Sequence, residues 1–178
     1  MTLMEAIVVR ISHDLAGAVG AFANTVDLMK MDASFITESV ELLETSSRQL
    51  TARLAFFRAL FGAETKSIDA TLVRRYVDTL AIPVEFKGEL NSRIQLAMVA
   101  VGLELLGTAG TLELKEQTLI VSGDDLHQDP VFVQALMGTQ VPCDPRLVSP
   151  LWLVQIAKEN DLIIRLDAGE NTMTLSLT

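Results

Sequence analysis

The chain has 178 residues, 49% of them hydrophobic and 21% charged, with a net charge of -9 and a sequence pI of about 4.6. That acidity repels a phosphate backbone and an anionic bilayer alike, which excludes general nucleic-acid and lipid binding and leaves other proteins as the expected partners. A single cysteine, Cys143, can form neither an internal disulfide nor a metal cluster, and no basic leader precedes an apolar core, so the expectation is a cytoplasmic protein with no membrane segment.

From the N-terminus, Val8, Ile11, Leu15, Ala18, Val19, Phe22, Val26 and Met29 recur at three- and four-residue steps, which predicts an amphipathic helix. A short turn over 30–34 follows. Ile36, Val40, Leu43, Ser47, Leu50, Leu54, Phe57 and Phe61 then repeat close to the 3.5-residue period of a bundle seam, predicting a second, antiparallel helix. A two-helix hairpin cannot enclose both of its apolar stripes, so it is expected to pair with a second copy as a dimeric four-helix bundle.

The polar stretch 62–67 reads as a linker, and beyond it the pattern changes. The spacing predicts a helix over 68–80, a strand over 84–86, a helix over 92–106 and a hairpin over 111–121. Helices over 130–137 and 146–160 follow, with Pro130 suited to a first turn, and strands over 162–166 and 173–177 close the chain. This order predicts an α+β architecture: a helical hairpin, residues 1–62, followed by an α/β sandwich, residues 67–178, in which helices cover a mostly antiparallel sheet.

His13 interrupts the first helix. It lies two residues from both Ile11 and Leu15, hence about 200° from each, and is expected to face water rather than the core. The face assigned to Arg10, His13 and Asp14 continues through Gly17, Gly20, Ala21 and Asn24 and is nearly bare. Each mid-helix glycine costs about 1 kcal/mol relative to alanine. Two of them beside an exposed histidine suggest a surface shaped for close approach by another protein, helix packing being the other use of such residues.

The stretch "SHDLAGAVGAFANTVDLM" resembles the histidine motif of the dimerisation and phosphotransfer helices of two-component signalling. More closely, it is similar to that of the ChpT-type histidine phosphotransferases, as is "RLAFFRALFGA" at the end of the second helix. One departure is Ala18, where that family usually has a proline five residues after the histidine; such a proline bends a helix and does not react. The element order that follows resembles the ATPase-like domain of histidine kinases.

The resemblance implies a phosphorelay intermediate. His13 would take a phosphoryl group from an aspartyl phosphate of one response-regulator receiver domain and pass it to another, with Asp14 beside it either holding its tautomer or simply solvated. Arg10, Gly17, Gly20, Ala21 and Asn24 would meet the partner, with Arg10 facing the phosphoryl oxygens. The chain would need no cofactor, since Mg²⁺ and a lysine would come from the receiver. Gly17, four residues after the histidine, offers no group to orient a hydrolytic water, which disfavours phosphatase activity.

ATP-dependent kinase activity is not expected. The helix that should carry the Mg²⁺-binding asparagine reads "SRIQLAMVAVGLELLG", with Asn91 only before it, and the glycine boxes are replaced by "VSGDDLHQDP" and "DPRLVSPLWLVQIAKEND". The α/β unit is thus expected to be a degenerate ATPase-like domain without a nucleotide site, and His127 a solvated loop residue. A non-catalytic dimeric adaptor of two-component signalling, or a divergent histidine kinase, are the alternatives.

Overall fold

The computed structural model describes residues 1–32, 34, 36–62 and 68–178. The expected linker beyond Gly62, and Ala33 within the expected turn, lie outside the described residues.

Helix α1 (Leu3–Met31) starts in a reciprocal cap: the Thr2 hydroxyl accepts from the Glu5 amide at 3.2 Å and the Glu5 carboxylate accepts from the Thr2 amide at 2.8 Å. Helix α2 (Ile36–Phe61) packs along it. The Arg53 guanidinium reaches the Asp14 carbonyl across the pair at 3.4 Å, which sets the two helices antiparallel about their connection at 32–35. Both helices match their predicted spans closely.

The remaining elements follow the predicted order with modest trimming. Helix α3 (Ala70–Val77) is shorter than expected, because the Asp69 carboxylate accepts from the Leu72 amide and starts the helix two residues late. Strand β1 (Val84–Gly88) leads to helix α4 (Arg93–Leu105), capped by Ser92, and then to strands β2 (Gly110–Lys115) and β3 (Thr118–Gly123). Helix α5 (Pro130–Leu136) is capped by Asp129 with proline in its first turn. A 3-10 turn (Pro145–Leu147) runs into helix α6 (Val148–Glu159), and strands β4 (Ile164–Ala168) and β5 (Thr172–Leu177) end the chain.

The strands form one sheet in the order β1-β2-β3-β5-β4, antiparallel except for the β1–β2 pair, which the α4 crossover makes parallel. Register places Phe86 beside Leu112, Leu112 beside Val121 and Val121 beside Met173, so a single apolar face is presented to the helices. The outer face pairs charges within strands, Lys87 with Glu85 and Lys115 with Glu113.

The core does not stop at the hairpin. Phe56, Phe57 and Leu60 at the end of α2 belong to the same buried cluster as Leu112, Val121 and Leu175, and the Phe56 ring stacks on Tyr76 of α3 at 4.0 Å. The N-terminal turns of α1 are held separately, with Ala6 and Ile7 buried against Val148 of α6. Along its length the hairpin keeps an uncovered apolar face: Val8, Val19 and Val26 on α1, and Ile36, Val40 and Leu54 on α2, are all exposed. By length and composition α1 could cross a membrane, a property the sequence reading did not anticipate, and these uncovered valines contribute to it.

Candidate functional site

His13 stands out from α1 with its side chain 86% exposed, turned to water as its spacing from Ile11 and Leu15 predicts. Its Nδ1 lies 3.3 Å from Asp14 Oδ1. Asp14 is largely sheltered, at 22% exposure, and its second oxygen, Oδ2, accepts from Arg10 Nε at 2.9 Å. Asp14 thus stands between the His13 ring and the Arg10 guanidinium, one oxygen toward each.

Arg10 departs from expectation. It does not look out beside His13; it lies on the side of α1 turned toward the α/β unit, where Nη2 approaches Glu104 Oε1 of α4 at 3.3 Å. The same Glu104 oxygen accepts from the Ser149 hydroxyl of α6 at 2.9 Å. The reason is position along the helix: Arg10 lies one turn beyond Ala6 and Ile7, in the part of α1 that packs against α6, and Asp14 continues the same stripe one turn on. The guanidinium is therefore held between two carboxylates, with about a third of the side chain still exposed.

Burial pushes the Glu104 carboxyl up to about 7; Arg10 and the Ser149 hydroxyl oppose that rise and Asp14 adds to it. The Tyr76 hydroxyl, on α3, is also raised, by burial first and then by Asp14. One Glu104 oxygen, Oε2, is buried without a hydrogen-bond partner among the described residues. Glu104, Ser149 and Arg53 were not singled out from the sequence. The available signal was Glu104 itself, the charged residue that breaks the apolar run 94–106.

Gly17, Gly20, Ala21 and Asn24 are exposed on the same reach of α1 as His13. A Cβ added at Gly17 or Gly20 would meet nothing within 4 Å, so neither glycine is required by packing inside the chain. That removes helix packing within this chain as their explanation.

His127 lies in the exposed loop between β3 and α5, as expected, but the loop is pinned. Its amide donates to the Leu105 carbonyl at 2.8 Å and the Gly107 amide donates to the Asp125 carbonyl at 2.9 Å. Gly107 permits this approach, since a Cβ there would fall 2.7 Å from Asp125 and 2.9 Å from His127. A cleft of about 690 Å³ opens between this loop, α5 and the end of α4, with Arg10, Glu104, His127, Phe132 and Arg146 among its walls. Helix α4 is buried from Leu96 to Gly102, and the carboxylate near its end is the one engaged by Arg10 and Ser149.

Over nearly its whole length the chain aligns with the protein phosphotransferase ChpT of Brucella abortus (strain 2308), at 23% identity across 190 residues, 94% of this chain and 90% of that protein. A 1.7 Å structure of a bacterial phosphotransferase superposes with a TM-score of 0.79 and 23% identity, covering 99% of this chain and 95% of that one. The chain is similar to ChpT in sequence and to a bacterial phosphotransferase in fold. No protein-family model matches it. The likeness to ChpT extends through both the helical hairpin and the α/β unit, so the α+β arrangement of hairpin and sandwich is the fold of a phosphotransferase and not an accident of the hairpin alone.

Proposed function

We propose that this protein is a histidine phosphotransferase of a two-component phosphorelay, which passes a phosphoryl group between receiver-domain aspartates through phospho-His13. The observation that carries the reading is His13 itself: an exposed imidazole on a bare helical face, with Nδ1 turned to a sheltered carboxylate and Nε2 left to solvent. The full-length likeness to ChpT supports it.

The chemistry follows from that geometry. The Nε2 lone pair attacks the phosphorus of an aspartyl phosphate; the P–Nε2 bond forms as the P–O bond to the aspartate breaks, and the aspartate leaves as a carboxylate. The ring, still carrying its Nδ1 proton, becomes cationic, and Asp14 Oδ1 stands against that charge. Return to a second aspartate reverses each step. In-line positioning and charge neutralisation dominate such a transfer, and the Mg²⁺ and lysine that neutralise the oxygens belong to the receiver. The chain contributes no cofactor.

The receiver sits on the face formed by His13, Gly17, Gly20, Ala21 and Asn24. Two copies of the chain pair through the uncovered valines of α1 and the exposed Ile36, Val40 and Leu54 of α2 into a four-helix bundle. The division into a phosphotransfer hairpin, residues 1–62, and an α/β unit without nucleotide chemistry, residues 67–178, belongs to the same reading, as does a place in the cytoplasm, where receivers act. Incubation with a receiver phosphorylated on its aspartate should move label onto the wild-type chain and not onto His13→Gln. Label on neither, with both folded, would leave the protein an adaptor.

A further inference from the structure

Resting on the phosphotransfer reading above, we infer that Glu104 of the α/β unit is a positioning residue for His13, acting through Arg10 and Asp14. Four groups form a continuous chain from α6 to the reactive ring. The Ser149 hydroxyl donates to Glu104 Oε1 at 2.9 Å, and Arg10 Nη2 approaches that oxygen at 3.3 Å. Arg10 Nε donates to Asp14 Oδ2 at 2.9 Å, and Asp14 Oδ1 lies 3.3 Å from His13 Nδ1.

Each link constrains the next. A carboxylate directly after a histidine on an open helix turns freely and bonds water as readily as the ring. Here one edge of Asp14 is occupied by the guanidinium, so its remaining oxygen is the one turned to Nδ1. The planar fork of Arg10 has a fixed geometry, and pinning one end of it on Glu104 fixes the direction of the other. Arg53 adds a further hold on the same residue by donating to the Asp14 carbonyl. A tied Asp14 keeps the proton of the neutral imidazole on Nδ1, and Nε2 then presents its lone pair to the receiver. The anchor lies 91 residues from the histidine in sequence and on the other unit, so the α/β unit prepares the nucleophile through Arg10 and Asp14.

The groups facing Glu104 are Arg10 and Asp14 from α1 and Ser149 from α6, with Tyr76 of α3 and Arg53 of α2 acting on the same cluster. Holding an ionised carboxylate in this buried place opposes stability, since burial favours its neutral form. A residue that costs stability while orienting a chain of hydrogen bonds toward the reacting atom is what a positioning role requires and a packing role does not.

Side-chain ¹⁵N spectra of His13 decide the matter, together with the rate of label transfer from a phosphorylated receiver. The full-length wild type should show the Nδ1–H tautomer. Glu104→Gln, which keeps the shape and removes the charge, should show a mixture of tautomers and transfer about tenfold more slowly, the scale of a small misalignment of a reacting group. Ser149→Ala should move both readouts the same way by less, and Glu113→Gln, on the outer face of the sheet, should move neither. Wild-type His13 with its proton on Nε2, or Glu104→Gln and Ser149→Ala with the wild-type tautomer and rate, would overturn the inference. If no receiver labels the wild type, the phosphotransfer reading fails separately, and the tautomer comparison still reports on the link from Glu104 to His13.

Discussion

The indole N–H of Trp152 on α6 donates to the Leu60 carbonyl, 3.0 Å away in the last turn of α2. The final carbonyls of a helix have no partner within it, so a side chain of the α/β unit completes the end of the hairpin. Phe61 meets the same indole edge-on, with ring centroids 5.5 Å apart. Trp152→Phe keeps an aromatic ring and removes the donor, leaving the Leu60 carbonyl without its bond. The expected cost is about 1–2 kcal/mol, or roughly 2–8 °C in Tm for a chain of this size. Thermal unfolding followed by circular dichroism checks it, and an unchanged Tm would mean that this joint bears no weight.

Burial of Glu104 gives stability a pH dependence. Its carboxyl is pushed up to about 7 in the folded chain from an ordinary value of 4.5, mainly by burial. The folded state therefore holds the proton more tightly than the unfolded chain across that interval. The associated stability is fully present below about pH 4.5 and is lost as pH rises through about 7. Glu104→Gln imitates the protonated group at every pH. It should match wild type near pH 4 and exceed it at pH 8 by of order 1–3 kcal/mol, read from urea unfolding at the two pH values. A variant less stable than wild type at pH 8 would mean that the pairing with Arg10 outweighs burial.

Much of this architecture could be read from spacing. Helix α2 ends where its 3.5-residue repeat ends, and the sheet follows from short alternating runs between turn residues. The stripe of α1 was only half legible. Val8, Val19 and Val26 keep period with Ile11 and Leu15, yet they are exposed, while Ala6, Ile7 and Thr25 are buried. A helix with two apolar faces, one spent within the chain and one uncovered, gives a single broad periodic signal that does not say which face meets what. Arg10 and Asp14 stand four residues apart, a spacing that predicts an ion pair but not its burial. The third member, Glu104, comes from another unit, and no local pattern pairs residues so far apart.

The uncovered face makes a prediction about assembly. Leu54 is 39% exposed and Val40 42%, so neither is needed to fold one copy, whereas Leu50 on the same seam is half-buried within the chain. Val40→Glu with Leu54→Glu should leave the helical content intact and give a monomer, because two carboxylates cannot be buried unpaired in the seam of a bundle. Light scattering at micromolar concentration should report a dimer for wild type and half that mass for the variant. A monomeric wild type would leave the valines of α1 needing a different cover.

The two glycines of α1 separate stability from docking. Space around Gly17 and Gly20 is open, so an added methyl group meets no neighbour and only the backbone gain remains. Gly17→Ala and Gly20→Ala should each stabilise the chain by about 0.5–1 kcal/mol. A chain that forgoes this at two neighbouring turns does so for the face they share with His13, which lies one turn before Gly17 and two before Gly20. A receiver holds its aspartyl phosphate in a recess, so the helix carrying His13 must be thin on either side of the ring to enter it. Gly17→Leu should therefore fold at least as stably as wild type and dimerise unchanged, yet accept label from a phosphorylated receiver at least tenfold more slowly, the penalty expected when reacting groups are held apart. Transfer at the wild-type rate in that variant would place the docking face elsewhere on the hairpin, and the thinness of α1 at Gly17 would then have no bearing on the relay.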